Sequence, residues 1–437
     1  MPSLDTAPTS ELGVPRSCAF AVGELGANLS WNMISGFILY YYSNVAKLPV
    51  AAVGTLLLVT RILDALIDPL IGIGVDRTRS RMGKARPWLL FAGLPFAALA
   101  VLTFTVPDWS DSSKLIYAYV TFTLAGMVYS AMYVPYNAMV PLMTSTPADK
   151  LRLGSLRSMA ASIGSIIVYS MMMPLVTWLG GRNPQQGFTL ASAIMAFGTV
   201  ATLLLVFFTC REQPHTSRTN VPEPVAQGLR DMIRNPVWLV VSAFALAMFF
   251  RIGSLVSVAA YFAIDVLRNP SAIGLLLSSL SVSLLLGGLM AKPWLAWQGK
   301  RRGNVITLCV AIALSALQAL AMHHAWLFGA LYIAGNVTLG VQSATIFCLI
   351  PDAVDRQEAL FGSRNEGLLS STVSFAMKAG MAVGGAVIAY GLALLGYVPG
   401  YVTEVARTGI TILFFGAPAL FAALQILIIS FYEEERL

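Results

Sequence analysis

The sequence predicts an all-α membrane protein of twelve transmembrane helices in two six-helix halves, on three observations. The 437 residues are 57% apolar and 11% charged, with a mean hydropathy of +0.73, more apolar surface than a soluble core absorbs. The apolar residues fall into runs of about 20 or more, the length that crosses ~30 Å of hydrocarbon as a helix. A polar stretch with Pro214, Pro222 and Pro224 separates the runs into two sets of six. An enzyme of ordinary soluble fold is excluded. The net charge of +7 would suggest nucleic acid in a soluble chain, but here Lys and Arg lie between apolar runs and read as topology signals, so no nucleic-acid partner is expected.

The expected organisation is a cytoplasmic tail (1–18), an N-terminal bundle (19–210), a cytoplasmic linker (211–235), a C-terminal bundle (236–432) and a second cytoplasmic tail (433–437). The first run, 19–45, has no basic region or cleavage site before it, so it is a retained helix rather than a signal peptide. It carries Glu24, Asn28 and Asn32 at intervals of four, one polar stripe on a helix. The stripe either glues helices, at only ~0.6 kcal/mol per bond, or lines a cavity. The second run, 49–75, contains Arg61, Asp64 and Asp68 on one face. The third, 87–106, follows the basic turn Gly83-Lys84-Ala85-Arg86-Pro87. The fourth, 114–144, sets Tyr129, Tyr133 and Asn137 along one side, rings that suit either packing or stacking on a sugar. The fifth, 151–181, has Arg157 near its start, shallow enough to snorkel, and 189–210 completes the first half. In the second half, 236–267 holds Arg251 deep, where it needs a partner or a ligand, and 270–298 ends at a second basic turn, Gly299 to Gly303. The runs 303–323 and 325–352 follow. Next, 365–395 carries Lys378 beside Gly380, Gly384 and Gly385, small residues that permit close helix approach, and 406–432 is the last.

Arg77, Arg79, Arg81, Lys84 and Arg86 in one loop, four arginines in the linker, and Lys300, Arg301 and Arg302 in another mark the cytoplasmic side, which puts both termini inside. The two basic turns occupy matching places in the halves, the weak internal repetition of a secondary transporter. No repeated filter sequence points to a channel and no Gly-rich loop ending in Lys and Ser or Thr points to ATP. The four cysteines, Cys18, Cys210, Cys309 and Cys348, read as small core residues.

An ionised side chain at bilayer depth costs at least ~2.5–3.5 kcal/mol, so Arg61, Asp64 and Asp68 together need a reason. They form either an internal pair that locks helices or a cation site, in which Arg61 balances one carboxylate and the other takes a proton or a metal ion.

The stretches Tyr40 to Asn44, Arg61 to Pro69, Asp76 to Pro87 and Tyr129 to Pro141 carry a further reading. With Arg157, Asp352, Asp355, Arg364 to Gly367 and Lys378, they resemble the glycoside–pentoside–hexuronide:cation symporters of the major facilitator superfamily. The resemblance runs nearly end to end, and the glucuronide-carrier branch is nearest. It implies the two-bundle facilitator fold, cation binding by Asp64 and Asp68 with the Ser130 hydroxyl, and substrate contacts from Asn28, Tyr133, Asn137 and Arg157. Lys378 falls on a lysine that links the two sites. Glu24, Arg251 and Ser374 join the expected substrate set. Asp76, Arg77, Arg81, Gly83, Lys84 and Arg86 match the signature loop that latches helix ends. Two departures stand out: Ile67 replaces an Asn of melibiose permease, and Asn28 and Tyr133 replace acids.

The expectation is therefore a bacterial inner-membrane symporter, a monomer with no cofactor, that imports a glycoside with a coupling cation, H+ rather than Na+. The three cations Arg157, Arg251 and Lys378 favour an acidic glycoside such as a hexuronide, unless Glu24 pairs with Arg251. A transporter of lysolipids or other amphiphiles on the same fold is the alternative, and a sensor or non-transporting scaffold the third reading.

Overall fold

The computed structural model describes residues 12–144, 146–212, 225–362 and 366–432. Parts of the expected tails and linker, and Arg364 and Asn365, lie outside the described residues, as does the side chain of Asp76. Thirteen α-helices occupy the described residues. They are α1 (Val14–Tyr40), α2 (Val50–Arg77), α3 (Arg86–Thr103), α4 (Asp111–Met143), α5 (Pro147–Gly180), α6 (Pro184–Thr209), α7 (Val225–Ile233), α8 (Pro236–Tyr261), α9 (Ala272–Gln298), α10 (Lys300–Leu320), α11 (Ala325–Phe361), α12 (Glu366–Leu394) and α13 (Glu404–Ser430). All but α7 match the twelve expected runs. Among the described residues, 11 helices are long and apolar enough to cross a membrane. Helix α1 is not among them, because Arg16, Glu24, Asn28 and Asn32 dilute its apolar run. The chain is an integral membrane protein.

Local chemistry sets the helix starts. Asn183, Asn235 and Thr403 accept the amide hydrogens of Gln186, Trp238 and Ala406, so α6, α8 and α13 begin with side-chain caps. Pro184 and Pro236 follow two of these caps, at positions that need no amide hydrogen. Two differences from the sequence reading have clear causes. Helix α7 forms inside the expected linker because Met232 is buried against Ala353, Val354 and Leu369. Helix α11 runs on to Phe361 rather than stopping near 352, since Asp352, Asp355 and Arg356 end the apolar run without breaking backbone hydrogen bonding.

Contacts divide the chain into two compact units, one of Met1–Ile38 with Leu63–Arg218 and one of Leu39–Ile62 with Thr219–Leu437. In the second unit α8 and α12 touch backbone to backbone. A Cβ on Gly384 would lie 2.4 Å from the Phe250 carbonyl oxygen, the close approach that the glycines beside Lys378 predicted.

The second unit also shows the internal repeat in detail. Helices α1 and α8 each end in a π-helical turn, Tyr41–Val45 and Phe262–Val266. Ala46 N donates to Tyr41 O and Leu267 N to Phe262 O, both at 2.9 Å. Each turn then leads to a residue of positive φ, Lys47 at 63° and Arg268 at 54°. Asn44 and Asp265 occupy equivalent places, and the Tyr397 hydroxyl joins them. It accepts from Asn44 Nδ2 at 3.0 Å and donates to Asp265 Oδ2 at 2.9 Å. Burial raises the Tyr397 phenol above its ordinary pKa, so it keeps the proton it donates.

Of the cysteines only Cys210 is buried; Cys18, Cys309 and Cys348 are exposed, contrary to expectation. The outer face of a membrane bundle is as apolar as its interior, so an apolar run does not say which face a residue takes.

Candidate functional site

In the first unit α1, α4 and α5 bring five of the expected substrate residues together. Glu24 on α1 is buried, 4% exposed, and its carboxylate is the centre of the cluster. Arg157 on α5 donates to Glu24 Oε2 from Nε at 2.8 Å and from Nη2 at 2.6 Å. The Tyr133 hydroxyl on α4 donates to Glu24 Oε1 at 2.8 Å, and Asn28 Nδ2 donates to the same oxygen at 3.2 Å. Arg157 Nη2 also donates to Asn137 Oδ1. Asn32 extends the stripe by donating to Asn28 Oδ1 at 3.1 Å and to Ser165 Oγ at 2.8 Å. The stripe therefore reaches α4 and α5 through charged and hydroxyl partners.

This arrangement corrects two expectations. Arg157 does not snorkel; its guanidinium is held by Glu24 and lies 4.8 Å from the centre of the Tyr136 ring. Glu24, expected as a possible partner of Arg251, takes Arg157 within its own unit. Arg251 is 3% exposed in the second unit, where its Nη1 donates to Gln342 Oε1 at 3.1 Å. The Glu24–Arg157 pair also cancels one of the three positive charges on which an acidic substrate was expected. On α12, Ser374 is exposed and Lys378 half-buried.

One wall of the cluster is aromatic. Phe20, Tyr136, Tyr133, Tyr129 and Trp31 form a continuous ladder of near-parallel rings, with centroids 4.6, 6.1, 5.2 and 4.0 Å apart in that order. Phe20 and Trp31 were not expected here. Their only trace in the sequence is a place on α1 flanking the polar stripe. Ring faces beside convergent donors and acceptors are what a hydroxylated ring with one apolar face needs.

Helix α4 carries this surface toward the acidic pair. Gly126, Ser130, Tyr133 and Asn137 fall on one helical face by their spacing. Asp64 and Ser130 are buried, 4% and 3% exposed, and Asp68 is half-buried. Asp64 Oδ1 lies 2.3 Å from where a Cβ on Gly126 would be, so this carboxylate occupies space that only a glycine leaves. Gly126 was missed by the sequence reading, and its spacing of four from Ser130 was the available signal.

The loop between α2 and α3 is anchored by a residue also missed. Glu212 accepts the amide hydrogens of Lys84 at 2.7 Å, Ala85 at 2.8 Å and Arg86 at 3.0 Å. It supplies the cap that Ala85 cannot give α3. Gly83 makes the approach possible with φ of 109° and no side chain against the Glu212 carboxylate. Arg86 donates to the carbonyls of Phe207 and Met82, while Arg77, Arg81 and Lys84 are exposed. The matching turn in the second unit is tied differently, by Lys300 Nζ to Asp352 Oδ2 at 2.6 Å.

Twelve long helices among the described residues, and a buried polar cluster walled by aromatic rings in the first unit, suit a membrane transporter. The chain belongs to the MFS/sugar transport protein family, whose profile matches residues 19–436, and is not an enzyme. It is 31% identical to the putative glycoside/cation symporter YagG of Escherichia coli (strain K12), over 97% of this chain and 93% of the relative. It is 30% identical to the glucuronide carrier protein homolog of the same organism, over 94% and 91%. The structure is similar to that of a bacterial homologue of the human lysosomal transporter Spinster, with a TM-score of 0.71 at 14% identity over 96% and 95% of the two chains. That likeness is one of fold, the major facilitator fold.

Proposed function

We propose that the protein is a cation-coupled symporter that imports a glycoside across the inner membrane by alternating access, with both termini in the cytoplasm. The observation that carries this reading is the cluster of Glu24, Arg157, Tyr133 and Asn137 beside the aromatic ladder. A carboxylate and a guanidinium held together accept from and donate to sugar hydroxyls, and the rings take the apolar face. The names of the relatives, a glycoside/cation symporter and a glucuronide carrier, agree with it.

Asp64, Asp68 and Ser130 are assigned to the coupling cation, with Lys378 relaying between cation and substrate. A sodium ion needs several oxygen ligands, and Ile67 offers none; a proton needs only a carboxylate to sit on. H+ is therefore the assigned ion. Uptake into proteoliposomes tests it. Accumulation is expected in sodium-free buffer and to stop when the pH gradient is collapsed; dependence on sodium with indifference to the pH gradient overturns the assignment.

A hexuronide is the finer reading. Once Glu24 and Arg157 cancel, Arg251 and Lys378 remain as the basic members of the substrate set, and a glucuronide carrier homolog is among the relatives. Binding of a glucuronide and of its uncharged glucoside analogue, compared in wild type and Arg251→Gln, decides it. Equal affinity in wild type rejects the acidic substrate and leaves the glycoside reading in place.

A further inference from the structure

A groove of about 410 Å³ lies between α3 and α4, away from the polar cluster. Pro87, Trp88, Phe91, Pro95, Val128 and Ala131 are among the residues that line it. Both helices are membrane spans, and Phe91 and Leu94 are 68% and 57% exposed, so this side of α3 faces hydrocarbon. The described lining has no charged or hydroxyl side chain, which suits an acyl chain rather than a sugar.

The groove starts where the basic loop ends. Pro87 and Trp88 directly follow Arg86, and Trp88 Nε1 donates to Thr78 Oγ1 at 3.0 Å, which holds the loop at the groove's mouth. From Pro87 to Pro95 the groove descends about 12 Å at ~1.5 Å per residue, within one leaflet of a ~30 Å core. At the mouth Glu212 already accepts from three amides, and Arg86 already donates to two carbonyls. Arg77, Arg79, Arg81 and Lys84 remain, all exposed and with no ion pair to another described residue. We propose that this groove and loop form a binding site for an anionic phospholipid, with an acyl chain between α3 and α4 and the headgroup phosphate on those four side chains. The site is independent of the transport reading.

Native mass spectrometry of the full chain in detergent, titrated with dioleoyl phosphatidylglycerol or dioleoyl phosphatidylcholine, tests it. The acyl chains are identical, so a difference reports the headgroup. At about fivefold per basic residue near an anionic surface, phosphatidylglycerol is expected to bind at least about tenfold tighter, and the preference to vanish in R77Q/R79Q/R81Q/K84Q. Phe91→Ala, at an exposed position that leaves the fold intact, is expected to weaken both lipids severalfold. Equal binding of the two lipids by wild type, or a preference that survives in the fourfold variant, overturns the proposal. Displacement of phosphatidylglycerol by inorganic phosphate alone overturns it too, since the site would then be one for a free anion.

Discussion

Glu24 is a single carboxylate serving donors from three side chains, and Arg157 is the one whose loss matters most. The pair is largely shielded, with side chains 5% and 17% exposed. Removing the acid strands a guanidinium, so Glu24→Gln is expected to cost about 2–3 kcal/mol, below the ~3–5 of a fully buried pair because Asn137 still binds Arg157. Thermal unfolding in detergent measures it. The double variant Glu24→Gln/Arg157→Gln removes the stranded charge, and it should regain stability while still failing to bind glycoside. Recovery of binding along with stability would leave the pair a purely structural role. Gly126 gives a second test at this scale. A methyl group there collides with Asp64, so Gly126→Ala is expected to abolish uphill accumulation while substrate exchange across the membrane continues.

Among the elements, helix ends are held by residues far away in the chain. Glu212 caps α3 from more than a hundred residues further on. Glu212→Ala removes the acceptor of three amides, a loss of about 1–2 kcal/mol by analogy with ordinary caps. Hydrogen exchange should show the amides of Lys84, Ala85 and Arg86 losing protection before the rest of α3. Tyr397 ties the π-helical ends of α1 and α8 through Asn44 and Asp265. Tyr397→Phe keeps the ring and deletes both bonds, so unfolding should become easier by about 1–3 kcal/mol. An unchanged melting temperature would show that water replaces the hydroxyl at no cost.

At the level of the whole molecule, the proposed coupling requires that the acidic pair and the polar cluster act together. Asp64→Asn and Asp68→Asn each remove the charge assigned to the cation. Both are expected to abolish gradient-driven uptake in proteoliposomes while glycoside binding persists. Full accumulation by either variant would sink the cation assignment and return the pair to a structural role between helices.

The order and approximate extent of the long helices were legible in the sequence because lipid selects on composition: each run of about 20 apolar residues had one affordable conformation. The stripe Glu24–Asn28–Asn32 and the face Tyr133–Asn137 were legible for a related reason, since polar side chains at membrane depth cannot point at lipid. Which partner each polar group chose was not. Glu24 had Arg157 and Arg251 available as cations, and only the packing of α1 against α5 selects the first. Glu212 and Tyr397 carried no local signal, and Gly126 only its spacing of four from Ser130, because their roles come from what lies across a helix contact. The exposed cysteines show the same limit from the other side. Periodicity and composition decide what a segment is, whereas a pairing between distant segments depends on distances that only the tertiary structure sets.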